Sequence, residues 1–529
     1  MSLKERILFY VLVTVGCLLT LAFGLAWFSP ANIPDNFSGF GDVVDVLLFA
    51  SLSYVVWHQI CTDILLWLIV EPIQKQPAVQ PPQTGLKVAF ITTFVPKSEP
   101  LEMLHDILPA MKKADYTHDV WLLDEGGSDD AKKICESYGV NYFTRFGKGH
   151  YNTDEGKFAK KTKGGNHNAW YHAHGHAYDI VAQIDTDFVP RKDFLTKTLG
   201  YFRDGKVAFV GTPQIYGNGS KSFIARGAAE QGYTFYGPIL RGLHGREMTM
   251  LLGANHVIRV AALEDIGFYE AHLTEDLLTG MTLHSRKWKS LYVAEALAVG
   301  EGPTTWIAYF NQQMRWAFGG IDILLRHAPQ LVRGMTKLQT RYYLMMLQHY
   351  FSGLAMMIGV GLIVLNFVFG IAAASMALSV LLLFYVPLIL WQTIVAMWIQ
   401  RFNIQPLEEK GVLLAGRIIS IAVWPIYFLA LVGVLRGKRL TFKVTPKGEG
   451  QSNLTPLSVF MPHLIIGGIT LAAFIVSFFT NHQSPIIVFW AVLTIISMFG
   501  VSLGAWGNGR FSRHKPKYKT VRYRYPAKA

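Results

Sequence analysis

Apolar residues fall into two kinds of pattern along this chain: long unbroken runs near both ends, and short runs broken by charge between them. The first run, Ile7 to Phe28, is long enough to cross about 30 Å of hydrocarbon at about 1.5 Å per residue. Its leading arm, MSLKER, has the charge of a signal-peptide n-region. The run is too long for an h-region and no small-residue cleavage site follows cleanly, so it reads as a retained span. A second run, Val43 to Val70, returns the chain. The loop between them holds Asp35 and Asp42 and no Lys or Arg, which places it outside. From Gly85 to about Tyr343 no run reaches spanning length. Lys87–Phe94, Val120–Leu123 and Ile180–Ile184 read as β-strands separated by helical patterns, a βαβ rhythm that predicts a parallel sheet covered by helices. Apolar runs then resume at Met345–Ala372, Ser375–Gln400, Val412–Leu435, Val459–Thr480 and Pro485–Trp506.

Charge changes how the later runs are read. If all five crossed, the tail after Trp506 would lie outside. That tail carries Arg510, Arg513, Lys515, Lys517, Lys519, Arg522, Arg524 and Lys528 and no acid, against the positive-inside rule. The run least suited to crossing is Val412–Leu435. It has Arg417 near its start, a Trp424-Pro425 break, and Lys410, Arg436, Lys438 and Arg439 at its flanks; an interfacial helix fits it. The expected organisation is two membrane helices (1–84), a cytosolic α/β domain with interfacial helices (85–343), two membrane helices (344–411), an interfacial helix and loop (412–458), two more membrane helices (459–506) and a basic cytosolic tail (507–529).

Of the 529 residues, 51% are hydrophobic and only 16% charged, against about 25% charged in soluble domains. That excludes a disordered or nucleic-acid-coating chain. The net charge of +13 suits cytoplasmic loops facing anionic lipid, and no nucleic-acid partner is expected. Cys17, Cys61 and Cys135 build no disulfide framework or zinc knuckle.

Four clusters in the α/β region carry chemistry. Leu122-Leu123-Asp124-Glu125-Gly126-Gly127-Ser128 puts an acid at a strand end, where such sheets bind ligands. Asp124 can accept from a nucleotide base or ribose; equally, the segment can be a turn with a helix cap at Ser128. In Asp185-Thr186-Asp187, residues i and i+2 point the same way in an extended chain, so both carboxylates can approach one divalent cation, Mg2+ or Mn2+ from oxygen ligands. Thr274-Glu275-Asp276 opens a helix; it is either simply a capped helix start or the site of a general base, Asp276. In Gln312-Gln313-Met314-Arg315-Trp316, helical spacing predicts a buried stripe of Ile307, Phe310, Met314 and Phe318. Gln312, Arg315 and Trp316 then fall within roughly 100° on the other side. Such a Trp suits stacking on a sugar and such an Arg a diphosphate; an interface-seeking Trp is the alternative. His167, His172, His174 and His176 crowd one stretch without the Cys or acid spacing of a metal site.

The ordered set LDEGG, DTDFVP, TED and QQMRW, running from about Leu86 to Lys447, resembles the processive family 2 glycosyltransferases, above all bacterial cellulose synthase catalytic subunits and curdlan-type β-glucan synthases. The resemblance implies an α/β GT-A (Rossmann-like) cytosolic domain inserted into a polytopic helical membrane domain. It implies an inverting enzyme of the bacterial inner membrane that transfers glucose from UDP-glucose to a growing glucan and moves the polymer across the bilayer. Lys163 in TKGGNHN looks like the family's nucleotide-contacting lysine, and Gly253 in Leu252-Gly253-Ala254-Asn255 falls in the acceptor-contacting loop. Phe442-Lys443-Val444-Thr445-Pro446-Lys447 is similar to the cellulose synthase gating loop, which implies that Thr445 and Lys447 reach the donor. The loop at Leu252 lacks the family's usual cysteine, Phe188 stands where histidine is common, and nothing after Lys447 resembles a PilZ domain. Cellulose, curdlan or mixed-linkage β-glucan fit as products. A chitin- or hyaluronan-like synthase and a non-catalytic export subunit are the rivals, and accessory or homo-oligomeric subunits are conceivable partners beside membrane lipid.

Overall fold

The computed structural model describes residues 2–71, 73, 77–96, 98–438 and 457–511. Two helices, α1 (Leu3–Trp27) and α2 (Asp42–Val70), lead into an α/β domain. The domain runs β1 (Val88–Phe94), α3 (Glu102–Lys112), β2 (Asp119–Asp124), α4 (Asp129–Tyr138), β3 (Asn141–Thr144), α5 (Lys163–His174), β4 (Ile180–Asp185), β5 (Val189–Pro190), α6 (Phe194–Leu199), β6 (Val207–Gly211), β7 (Ile215–Tyr216), α7 (Phe223–Thr234), α8 (Leu240–His244), β8 (His256–Arg259), α9 (Val260–Asp265), α10 (Glu275–Ser285), β9 (Lys289–Tyr292), β10 (Ala298–Gly300) and α11 (Trp306–Asp322). Then follow α12 (Ala328–Leu331), α13 (Lys337–Gln348), α14 (Ser352–Phe369), α15 (Leu378–Ile399), α16 (Leu414–Ala422), α17 (Trp424–Leu435), α18 (Met461–Thr480) and α19 (Pro485–Phe511).

The main sheet has seven strands in the order β3-β2-β1-β4-β8-β6-β9. β1 pairs in parallel with β2 and β4, while β8 runs antiparallel to both its neighbours. Helices cover both faces, so β1 reads as a nearly unbroken apolar run, VAFITTF, buried at every position but Thr93. On α3, Leu104, Ile107, Leu108 and Met111 recur at helical spacing and all are buried. Strand order reverses between β1 and β4. The crevice outside the strand ends at such a reversal is where open α/β sheets bind ligands. The fold is thus the Rossmann-like α/β class expected, with strand ends within two residues of the predicted ones, but the sheet is mixed rather than parallel throughout, because β8 enters it antiparallel.

Among the described residues, seven helical segments are long and apolar enough to cross a membrane: Leu3–Trp27, Gly39–Val70, Lys337–Phe369, Leu378–Phe402, Leu414–Leu435, Leu457–Thr480 and Pro485–Leu503. They mark the chain as a membrane protein. In the bundle α1 packs on α15, α2 on α14, α14 on both α17 and α18, and α18 on α19. Leu414–Leu435 differs. It is broken into α16 and α17, and half of its apolar window is buried, the largest share of the seven. α16 lies on α7 of the α/β domain: Gly416 N–H donates to the Glu230 carboxylate (2.8 Å), and Gln231 donates to the Ser420 hydroxyl (2.7 Å). α17 lies along α11, where the Tyr427 hydroxyl donates to Gln313 (2.9 Å).

Candidate functional site

At the C-terminal edge of the sheet the register aligns Phe94 with Asp124 and Thr93 with Asp185. Asp124 ends β2 fully buried. It accepts from the N–H of Gly126 (2.8 Å), the N–H of Ser128 (2.6 Å) and the Tyr142 hydroxyl (2.8 Å). Gly127 takes φ +67° in this turn, a left-handed conformation that glycine adopts without strain. Asp124 therefore organises the turn behind the cavity wall, and Glu125, next to it, reaches the cavity. Ser128 caps α4 through the N–H of Ala131 (3.3 Å), as its position predicts.

Glu125 forms a two-bond pair with the fully buried Arg145, at 2.8 Å and 2.6 Å. The same guanidinium donates to the carbonyls of Tyr151, Phe158, Ala159 and Thr162 at 3.0–3.2 Å. The loop before α5 is thereby wrapped around one cation, which delivers Lys163, the first residue of α5, to the cavity. Lys163 Nζ pairs with Asp185 Oδ1 and with the Gly253 carbonyl. Gln183 also donates to that carbonyl, at 3.0 Å, and ties the Leu252–Asn255 loop to β4.

Asp185 and Asp187 both line the cavity, whereas Thr186 between them is buried and donates to Glu99 (2.8 Å). The chain is not extended here: β4 ends at Asp185, and a turn closed by the Phe188 N–H on the Asp185 carbonyl (2.9 Å) brings both acids to the cavity. The Glu301 N–H donates to Asp187 at 3.4 Å. Asp276, the second residue of α10, approaches Gly253 so closely that a Cβ there would lie 3.1 Å from Asp276 Oδ2. Its Oδ1 accepts from the N–H of Leu277 (2.8 Å). Burial raises the Asp276 carboxyl above the usual carboxylate range, opposed by that N–H and by the positive Lys163 and Arg315. Neighbouring Glu275 is raised too, first by burial and then by the Asp276 charge.

Gln312, Arg315 and Trp316 all line the same cavity, and Gln312 donates to the Tyr216 hydroxyl at 3.4 Å. Two expectations for these helices need correction. The buried face of α11 is Trp306, Tyr309, Gln313 and Ala317, while Ile307 is 37% exposed and Phe310 and Met314 are half-buried. The reason is polar: Gln313 lies on the buried face because Tyr427 answers it, and Trp306 stacks on Phe460. Trp316 is accordingly half-buried rather than exposed opposite a buried stripe. Thr274 precedes α10, yet its side chain makes no cap bond; its hydroxyl meets the His272 ring instead (3.1 Å). Thr445 and Lys447 lie outside the described residues. Arg145, Glu125 and His272 escaped sequence reasoning. Arg145 and Glu125 are 20 residues apart with no periodicity to pair them.

The cavity has a volume of about 2310 Å3 and does not stop at these groups. It continues past Met345, His349 and Tyr350 to Thr62 and Asp63 on α2, Gln400 beside α15 and Arg417 on α16.

An α/β sheet with a carboxylate-lined cavity at its strand reversal, set on a bundle of membrane helices, defines a class of membrane-embedded transferase domain. Residues 180–400 match the family Glycosyl transferase family group 2. It is 27% identical over 326 residues to the cellulose synthase catalytic subunit [UDP-forming] of Xanthomonas axonopodis pv. citri, covering 60% of this chain and 43% of that one. It is 27% identical over 429 residues to the corresponding subunit of Pseudomonas fluorescens, covering 78% and 54%. The chain thus spans about half the length of the curated relatives it matches. A mannosyltransferase of Pyrobaculum calidifontis, solved with GDP-mannose and Mn2+, covers 69% of this chain at 16% identity with a TM-score of 0.43.

Proposed function

We propose that the chain is a processive membrane glycosyltransferase that transfers glucose from UDP-glucose to the non-reducing end of a growing β-glucan. The observation that carries this reading is that Asp185, Asp187, Asp276 and Trp316 line one cavity continuous with the membrane helices. A donor and a polymer end can meet at one end of it, and the product can leave along the other.

Asp185 and Asp187 both offer oxygen ligands to the cavity, a donor set that fits Mg2+ or Mn2+. Such an ion, when bound, would neutralise charge on the leaving diphosphate. Arg315 and Lys163 add positive charge near that group. Asp276 accepts the proton of the acceptor hydroxyl. The hydroxyl oxygen forms its bond to the sugar C1 as the bond from C1 to the UDP oxygen breaks, and its electron pair leaves with UDP. Attack from the face opposite UDP inverts the anomeric centre. Trp316 and Gln312 would hold the acceptor sugar where the two meet. Asp124 serves nucleotide binding through the turn it holds and the wall formed by Glu125. Thr445 and Lys447 would close on the donor.

For the membrane we infer six spans, with Leu414–Leu435 lying in the interface and the α/β domain on the cytoplasmic side of a bacterial inner membrane. The broken helix and its packing on α7 and α11 support this. The test is to incubate the purified chain in lipid with individual UDP-sugars and digest any polymer with linkage-specific glucanases. A glucanase-sensitive polymer from UDP-glucose is expected. A polymer made only from UDP-N-acetylglucosamine would move the chain to the chitin- or hyaluronan-like reading. No UDP release with any sugar would favour a non-catalytic export role.

A further inference from the structure

The turn that leads into Asp276 is held from outside the cavity by a small polar group. His272 and Asp322 have side chains only 9% and 11% exposed, and His272 Nε2 lies 3.1 Å from Asp322 Oδ2. The Thr274 N–H points at His272 Nδ1 at 3.1 Å. A backbone N–H can only donate, so Nδ1 is the acceptor and the ring hydrogen sits on Nε2, directed at Asp322. Asp322 Oδ1 is in turn held by Arg326, at 2.7 Å.

The bridge joins two elements of the site. Asp322 closes α11, the helix that carries Gln312, Arg315 and Trp316. Thr274 precedes α10, which carries Asp276. One turn before Asp322, Gly319 packs so tightly on this turn that a Cβ would lie 2.4 Å from Thr274 Oγ1. Packing brings the elements together, and the imidazole fixes their register.

We propose that His272 is a positioning residue for sugar transfer, splinting the start of α10 to the end of α11 so that Asp276 faces the groups on α11. This rests on the reading of Asp276 as the base. A cation site is the competing use of the same residues, because atoms of His272, Asp322 and His327 lie within 4.8 Å of one another. The hydrogen bonds decide between them. A metal on Nε2 of a neutral ring requires the hydrogen on Nδ1, where it would face the Thr274 N–H.

The test uses the full chain in lipid with the UDP-sugar that the polymer assay identifies. His272→Asn retains an acceptor near the Nδ1 position and cannot reach Asp322; Asp322→Ala removes the other end. Each should lower kcat about tenfold or more, with donor KM within about threefold of wild type. Calorimetric binding of UDP should be unchanged, which shows a folded donor site. The double variant should be no slower than the slower single one, as two ends of one bridge behave. Wild-type kcat in His272→Asn while Asp276→Asn is inactive would overturn the splint and leave the base reading standing. Additive losses in the double variant would also overturn it. Turnover retained in Asp276→Asn would remove the base reading and with it the purpose of the splint. Stoichiometric zinc binding at micromolar metal, lost in His272→Asn, would replace the splint with a cation site.

Discussion

Asp124 and Asp185 end neighbouring strands of β1 on its two sides, aligned with Phe94 and Thr93. Each is followed by a polar turn at the same edge of one sheet. Yet Asp124 is fully buried under three donors, whereas Asp185 opens on the cavity beside Lys163. What separates them is the next few residues. Gly126 and Gly127 let the chain curl back so that its N–H groups satisfy Asp124. Thr186 turns away to Glu99 and leaves Asp185 and Asp187 on one side. A strand-end acid is thus structural or chemical according to whether its own turn consumes it.

The largest effect expected from this difference is on the metal. Verified removal of divalent cations should bring UDP release to background, and Mg2+ or Mn2+ should restore it. Activity undiminished without metal would make Asp185 no more chemical than Asp124. Next, Asp185→Asn should cut turnover about 10²–10³-fold while the melting temperature stays within about 2 °C of wild type. Asp124→Ala should do the converse. It takes the acceptor from two N–H groups and a hydroxyl in the half-buried turn and should destabilise the domain by about 2 kcal/mol. Thermal melts of the two variants side by side would break the comparison if Asp185→Asn proved the less stable.

The parts legible in the sequence were those whose signal is local. β4 is an apolar run that ends at its acids, whereas the extended i, i+2 geometry expected for Asp185 and Asp187 is replaced by a turn that still leaves both on the cavity. The α/β class followed from the same rhythm of runs. Contacts between distant segments were not legible. Nothing near Asp124 announces Tyr142, and nothing near Gln313 announces Tyr427. Helical spacing therefore assigns Gln313 to neither face, and of the expected stripe only Phe318 is fully buried, with Phe310 and Met314 half-buried against the same core and Ile307 exposed. Asp322 and His272 are 50 residues apart and meet only because α11 returns over the turn before α10.

Asp276 adds a third setting for an acid, a helix start rather than a strand end. Burial raises its carboxyl, and a base acts only when deprotonated. As pH falls, kcat should therefore begin to drop above the usual aspartate value of about 3.9, by about tenfold per unit once below the limb. A kcat–pH profile flat down to about pH 4 would remove Asp276 from the proton-accepting role. It would leave the part in transfer to Asp185 and Asp187.

The smallest effect tests Asp124 itself. The Tyr142 hydroxyl donates to it at 2.8 Å, and burial together with the Asp124 charge holds that hydroxyl well above its ordinary pKa, so it stays protonated and keeps donating. Tyr142→Phe removes this one donor and leaves the two backbone N–H groups in place. The aspartate keeps most of its satisfaction, so the cost should be about 1 kcal/mol, read as a melting temperature lower by a few degrees. Donor KM should change by less than about twofold, because the hydroxyl serves the turn and not the ligand. A donor KM raised tenfold with an unchanged melt would show Asp124 reaching the nucleotide directly, and the contrast between the two strand ends would collapse.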